Sequence, residues 1–460
     1  MELFENLVNF VNSILWDYVL IIGLVGIGLY FTVRLGFIQV KRFGEAYKRV
    51  FGGIFSKEEN KEGSMSSFQA LATSIAAQIG TGNVAGVATA ITSGGPGAVF
   101  WMWISAFFGM STIFVEATLA QKYRETDSDG QLVGGPAYYI KNGLGSKGLA
   151  SFFAIALIIA LGFIGNMVQS NSIADAVSRA FNIPQLGVGI FIAVVAGLIF
   201  IGGMKRIASF AELVVPVMAA IYILGSIVVI IIFHNSIISV FKSIFVAAFS
   251  PKAIMGGAAG IGVQQAVRYG IARGLFSNEA GMGSTPNSHA VADVKHPVEQ
   301  GLSAMIAVFI DTVLVCTATA VAILSTGSNT LGLVGVGVTQ EAFKIAFGPI
   351  GEMFLAICLT FFAFTTLVGW YYFGENNIRF LFKDKKSIRI YQIIVLLFIV
   401  LGSYQKVDFV WNLADMFNGI MVIPNLLAIF ILFKESKELL IDYDHQNNKG
   451  ERLHYNYKYQ

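Results

Sequence analysis

The stretch Gln78-Ile79-Gly80-Thr81-Gly82-Asn83-Val84-Ala85-Gly86 lies in the middle of a long apolar segment, 66–92. Its residue types suit the capture of small charged groups. Two glycines bracketing a threonine, with an asparagine next, weaken a helix at its centre. An unwound point there frees backbone N–H and C=O groups. Freed amides at the N-terminus of a half-helix can hold a carboxylate, and freed carbonyls can hold Na⁺. The same letters admit a plainer reading, because Gly82-x-x-x-Gly86 fits the spacing at which two helices pack closely. On the motif alone both readings stay open. The string is no nucleotide loop, since no Lys follows and its surroundings are apolar.

A second run, Phe361-Phe362-Ala363-Phe364-Thr365-Thr366-Leu367-Val368-Gly369-Trp370, offers paired hydroxyls in another apolar helix. Such threonines often bond back to their own carbonyls, yet a hydroxyl is also a hard, neutral oxygen that a hard cation accepts. Trp370 follows Thr366 by four residues, so it shares that face and could wall a site beside it. A third segment gathers Asn166, Gln169, Ser170, Asn171 and Ser172 within one apolar span. These groups must face protein or water, either as interhelical glue or as substrate contacts. For a zwitterionic ligand, the amides of Thr81 and Gly82 would meet the carboxylate. The amide oxygens of Gln78, Gln169 or Asn171 would then meet the ammonium.

Among the charged residues within spans, Asp311 lies near the middle of 299–325 and Glu116 lies in 96–123. An intramembrane acid is a functional candidate by default, in competition with a protonated or Arg-paired structural acid. Asn83, Glu116 and Asp311 are therefore candidates for a second ion or for coupling. Arg268 and Arg273, near the cytoplasmic end of their span, are expected to snorkel. No HExxH or GxSxG string occurs, and His289 and His296 stand in a polar loop without metal-ligand spacing. Cys316 and Cys358 sit singly in apolar segments and read as packing residues. Enzyme chemistry is not expected.

Composition dictates the elements that must position these residues. Of 460 residues, 55% are hydrophobic and 13% charged, with mean hydropathy +0.68. Soluble chains carry about 25% charge. The chain is expected to be a polytopic membrane protein. Eleven hydrophobic spans can be drawn, at about 15–34, 66–92, 96–123, 150–178, 186–204, 208–233, 253–272, 299–325, 350–378, 388–403 and 411–433. Hydrocarbon about 30 Å thick needs roughly 20 helical residues, so 388–403 is the weakest of them. Every backbone group must be paired in lipid, which makes the architecture an all-α bundle, one transmembrane domain over 1–433. The first span is too long for a signal peptide and lacks its basic start and cleavage site. Residues 434–460 read as a disordered cytoplasmic tail. A net charge of +3, without a basic patch interleaved with aromatics, points away from a nucleic-acid partner.

At GTGN (80–83), GGPGAVFWMW (94–103), GGPAYYI (134–140), GNMVQSNSIADA (165–176) and FSNEAGMGSTPNSHA (276–290) the sequence resembles the alanine/glycine:cation symporter family. The likeness covers nearly the whole chain. That family is similar in turn to transporters with the LeuT fold. The resemblance implies two inverted five-helix repeats, 66–233 and 253–433, after one extra helix at 15–34. It also implies roles. The carbonyls of Ala76, Ile79 and Ala363, with the Thr366 hydroxyl, would surround one Na⁺. Leu367 falls where the LeuT pattern has a second serine, which leaves Thr365 as the substitute. Thr81 and Gly82 would offer their amides to the substrate carboxylate, and Glu116 falls near the acid of LeuT's next helix. The partner broken helix is expected within 253–276, where Gly260, Gly262, Gly270 and Gly274 compete for the break.

The activity implied is Na⁺-coupled import of small neutral amino acids, namely L-alanine, D-alanine and glycine, by alternating access in the plasma membrane. A proton-coupled carrier using Asp311 or Glu116 is one alternative, and a passive channel is another. With 35–65 placed inside, 26 of the 31 basic residues fall on the cytoplasmic side. The positive-inside rule then sets the N-terminus outside and the C-terminus inside. Cysteines placed at Lys57 and Lys385 should accordingly resist an impermeant maleimide in intact cells, and labelling at either contradicts this orientation.

Overall fold

The computed structural model describes residues 2–52, 64–249, 262–450 and 452–458. Helix α1 runs from Glu2–Ile14 through a wide π turn, Leu15–Val19, into Leu20–Arg34. After a short helix, Phe43–Gly52, comes α2 (Ser67–Gln78), which opens on a capping box. There the Ser66 hydroxyl accepts from the Gln69 amide at 3.0 Å, and the Gln69 side chain accepts from the Ser66 amide at 3.2 Å. The helix stops at Gln78, because Ile79 is extended (φ −78°, ψ 91°). Thr81 is helical again, and the chain continues through a π turn, Gly82–Gly86, into α3 (Val87–Gly94). Two half-helices thus share the span expected over 66–92.

Long helices follow: α4 (Gly97–Lys122), α5 (Lys147–Phe181), α6 (Gln185–Phe200) and α7 (Gly203–Ile232). A small hairpin joins Glu125–Thr126 to Leu132–Val133 between α4 and α5. Beyond α7 lie α8 (Ile237–Phe249) and α9 (Val263–Asn278). The chain leaves α9 through Glu279 in the left-handed region (φ 57°), then Gly281 (φ 89°) and Gly283 (φ 81°). It resumes as α10 (Pro286–His289). The remaining helices are α11 (Pro297–Thr326), α12 (Val336–Phe347), α13 (Pro349–Phe382), α14 (Lys385–Ser403), α15 (Val407–Ile431) and α16 (Phe433–Asn448). Among the described residues seven helices are long and apolar enough to cross a membrane: α4, α5, α7, α11, α13, α14 and α15. The chain is an all-α polytopic membrane protein, as its composition implied.

The two interruptions sit inside the bundle. α4 packs along α9 and α11, while α13 packs along α2, α5 and α12. Small residues permit the close crossings. A Cβ on Gly369 of α13 would stand 3.1 Å from the Ala77 Cβ of α2, and one on Gly270 would stand 2.7 Å from the Trp101 Cβ of α4.

Several expectations change. The second break falls at 279–285, beyond the 253–276 window, because Gly262 precedes α9 and Gly270 and Gly274 serve helix packing against α4. Gly260, and residues 253–261 generally, lie outside the described residues, as do Lys57 and Lys61. The tail expected to be disordered forms α16 over Phe433–Asn448. Its Ser436 hydroxyl meets that of Thr118 at 2.7 Å, and Tyr443 donates to Glu45 at 2.5 Å. His289 and His296 are buried rather than set in an exposed loop. Helices α8 and α12 occupy stretches expected to be loops.

Arg273 does not snorkel. It is buried, and its guanidinium meets both carboxylate oxygens of Asp415 on α15 at 2.8 and 2.6 Å while stacking over Trp411 at 4.8 Å. With Arg268 it borders Asn9, Asn12 and Trp16 of α1, at the end of the bundle where α1 begins. With both at the end where α1 begins, the expected asymmetry of basic residues between the two ends falls from 26 of 31 to 24 of 31. Removing one partner of a buried pair strands the other charge, so Asp415→Ala should destabilise the purified protein by about 3–5 kcal/mol. The double variant Asp415→Ala, Arg273→Met should recover most of that loss in a thermal melt, and equal melting of single and double variants contradicts the pairing.

Candidate functional site

The interruption between α2 and α3 leaves carbonyls without helical partners at the heart of the bundle, and α13 supplies one. The Thr366 hydroxyl lies 2.9 Å from the Ala76 carbonyl oxygen and 3.3 Å from that of Ile79, donating to both. Three oxygens converge on a single hydroxyl proton. Ala363 is buried on α13 one turn before Thr366. No side chain larger than hydrogen fits at Gly80, because a Cβ there would run into the Thr366 hydroxyl. Thr365, adjacent in sequence, is committed elsewhere: its hydroxyl donates to the Phe362 carbonyl at 2.9 Å and touches the Met218 sulfur at 3.6 Å. It is the helix back-bond that the sequence also allowed.

On the other side of the break a buried polar knot joins both interrupted helices. The Asn83 side-chain oxygen accepts from the Gly80 amide at 2.8 Å, and its amide nitrogen donates to Asp311 Oδ1 at 2.6 Å. Ser277, one residue before the end of α9, donates to both Asp311 oxygens at 3.0 and 2.9 Å. Thr312 donates to Asp311 Oδ2 at 2.7 Å. The Cys316 sulfur, expected only to fill space, lies 3.3 Å from the Asn83 nitrogen and 3.2 Å from the Ser277 hydroxyl. Asp311 thus binds the first break to α9 and to its own helix through neutral donors.

Between these clusters stand polar atoms that are buried and unpartnered. They are the Gln78 side-chain oxygen, the Thr81 hydroxyl and the Gln169 side-chain nitrogen. The other half of each amide is anchored: Gln78 donates to the Asn278 carbonyl at 2.8 Å, and the Gln169 oxygen accepts from the Thr81 amide at 3.3 Å. A buried polar group left without a partner costs about 1–3 kcal/mol, which makes these three atoms candidates for contact with a polar ligand. Aromatic rings pack beside Gly82. A Cβ on Gly82 would sit 3.3 Å from the Phe276 ring, and Phe276 packs edge-on against Trp370 at 5.7 Å and in a tilted contact against Trp411 at 4.7 Å. The Trp370 indole donates to Glu279 Oε1 at 2.5 Å.

Two candidates lie elsewhere. The Asn171 side-chain nitrogen donates to the Gly402 and Gln405 carbonyls at 2.9 and 2.8 Å, tying α5 to the end of α14, while its oxygen is buried without a partner. Glu116 accepts from the Gly281 and Gly283 amides at 2.8 and 3.0 Å and from Asn425 at 2.6 Å. Glu116 therefore braces the second break, whereas Asp311 braces the first. Ser277, Asn278 and Glu279 were not singled out from sequence, although three consecutive polar residues closing an apolar helix ahead of two glycines were a usable signal. A cavity of about 320 Å³ lined by Asn12, Trp16, Arg273 and Asp415 lies toward the α1 end of the bundle.

The arrangement agrees with what the chain is similar to. A family model for the sodium:alanine symporter family matches residues 1–457. The chain is 44% identical over 452 residues to the probable sodium/glutamine symporter GlnT of Bacillus subtilis, covering 98% of this chain and 92% of that protein. It is 41% identical over 437 residues to the sodium/alanine symporter AgcS of Methanococcus maripaludis, covering 93% and 95%. Among solved structures it is similar to MhsT in complex with L-phenylalanine, with TM-score 0.60 and 13% identity over 81% of this chain and 90% of that one. At that identity the likeness concerns the fold alone, which is the LeuT fold.

Proposed function

The chain belongs to the sodium:alanine symporter family, and from that premise we propose that it imports alanine and glycine together with Na⁺ by alternating access. It is a multi-pass transporter of amino acids coupled to a cation, and not an enzyme. The observation that carries the sodium assignment is the Thr366 hydroxyl set against the Ala76 and Ile79 carbonyls. A hydroxyl is donor and acceptor in one group. On entry of a cation it turns a lone pair inward, so that the oxygens it had bridged become ligands, joined by the Ala363 carbonyl. Hard oxygens of this kind suit Na⁺.

The substrate reading rests on the unpartnered atoms. A carboxylate would meet the Gly82 amide and, by displacing the Gln169 oxygen that it now bonds, the Thr81 amide, at the positive start of a half-helix, with the Thr81 hydroxyl and the Gln169 nitrogen as further donors. An ammonium would meet the Gln78 oxygen. These groups hold the part common to all amino acids, so Phe276, Trp370 and Trp411 set the side-chain limit. The N-terminus is taken as outside, which makes the cavity beside Arg273 the outward approach. A proton-coupled carrier is the second reading, favoured by Asp311, a buried carboxylate held by Asn83, Ser277 and Thr312. Alanine uptake driven by a pH gradient alone, without Na⁺, would select it.

Two outcomes check the first reading. Thr366→Val removes the hydroxyl oxygen at nearly constant volume, so the Na⁺ concentration for half-maximal uptake should rise by roughly tenfold or more. An unchanged Na⁺ requirement contradicts the ion assignment. Trp370→Ala should let valine and leucine compete with alanine while weakening alanine itself. Each methylene is worth about 1–3 kcal/mol in such a pocket, so the gain should be graded with side-chain length. Continued rejection of leucine by a variant with parental alanine affinity contradicts Trp370 as the wall.

A further inference from the structure

Helix α13 touches both interruptions on one face. Thr366 reaches the carbonyls of the first break, and Trp370, one turn later, reaches Glu279 at the second. Glu279 is fully buried and holds a left-handed backbone (φ 57°), which is uncommon for a residue with a side chain. Both of its oxygens are engaged: Oε1 accepts from the Trp370 indole at 2.5 Å, and Oε2 accepts from the Ser284 hydroxyl across the same turn. The indole has little other freedom. It closes against Gly165, where a Cβ would stand 2.5 Å from the ring, and Phe276 packs edge-on beside it. A carboxylate that both shapes the second break and pins this ring fixes the distance between that break and α13.

We propose that Glu279 is a positioning residue for selectivity and coupling, holding the Trp370 indole as the size limit of the pocket and, through one turn of α13, holding Thr366 in register with the ion corner. The proposal rests on the site reading given above. If the acceptor is lost, the indole N–H is buried and unpaired, and the ring must move or take in water. A moved ring relaxes the size limit. A moved helix turn carries Thr366 off the Ala76 and Ile79 carbonyls, so the two effects should appear together. A residue that served stability alone would change neither selectivity nor Na⁺ requirement.

The test uses the purified full chain, labelled L-alanine, unlabelled L-leucine as competitor, and graded NaCl. Glu279→Met keeps length but removes the acceptor, Trp370→Phe keeps an aromatic ring but removes the donor, and Glu279→Gln keeps an acceptor. In Glu279→Met and in Trp370→Phe, leucine should compete roughly tenfold better than in the parent and the Na⁺ requirement should rise. The double variant should be no worse than either single, since one contact is lost in all three. Glu279→Gln should stay close to the parent. Multiplying effects in the double variant overturn the proposal, and so does unchanged leucine exclusion in both singles. Loss of alanine binding in Glu279→Gln with an unchanged leucine-to-alanine ratio also overturns it, because Glu279 would then contact the substrate itself. If Glu279→Met is not monodisperse, Trp370→Phe and Glu279→Gln decide by the same criteria. Failure of the underlying site reading looks different: the parent would bind alanine equally without Na⁺, or Thr366→Val would keep the parental Na⁺ requirement.

Discussion

In hydrocarbon an unpaired backbone amide or carbonyl has no water to turn to, and each one costs several kcal/mol. A helix interrupted inside a membrane bundle is therefore tolerable only where protein or ligand takes over the freed groups. Both interruptions here meet that demand with side chains, mostly from neighbouring helices. Around the first, Asn83 caps Gly80, Thr366 bridges Ala76 and Ile79, and Gln169 accepts from Thr81. Around the second, Glu116 accepts from Gly281 and Gly283 while Asn425 donates to the Gly281 carbonyl. Gln78, Thr81 and Gln169, beside the first break, each keep a buried polar atom without a partner, and these are the groups the proposed substrate would meet.

Coupling follows from sharing. Residues 76–82 supply carbonyls to the proposed ion corner and amides to the proposed substrate carboxylate, so each ligand stabilises the backbone conformation the other requires. Neither needs to touch the other. A ligand shifts an equilibrium only by its differential affinity for the two states, and a segment contributing to both sites gives Na⁺ and substrate the same preferred state. α13 adds a second link, because Thr366 and Trp370 lie one turn apart on a rigid element.

The first break was legible because its letters conflict with their surroundings: Gly80, Gly82 and Asn83 are poor helix formers in an otherwise apolar run. The threonine pair stood out as hydroxyls in an apolar helix, but only the family resemblance set Thr366 beside the ion, since paired threonines usually bond back to their own helix, as Thr365 does. The second break was hidden. Glycine is the usual cue, and the glycines in 253–276 drew attention, yet Gly270 and Gly274 answer to packing while Glu279 makes the left-handed turn. Helix α16 was hidden for another reason. Its sequence is as polar as a disordered tail, and contacts distant in the chain accompany its order, Ser436 with Thr118 and Tyr443 with Glu45 and Arg49. Asn171 and Gln169 look equivalent in sequence, but only the second faces the break.

The central claim is that one unwound segment serves ion and substrate together. Its most direct test is equilibrium binding of alanine to the purified protein over a range of Na⁺ concentrations, paired with Na⁺ binding over a range of alanine concentrations. Thermodynamic linkage requires the two ligands to raise each other's affinity by the same factor. The account predicts a factor well above one in both directions. Alanine binding that is the same in Na⁺ as in choline would contradict it.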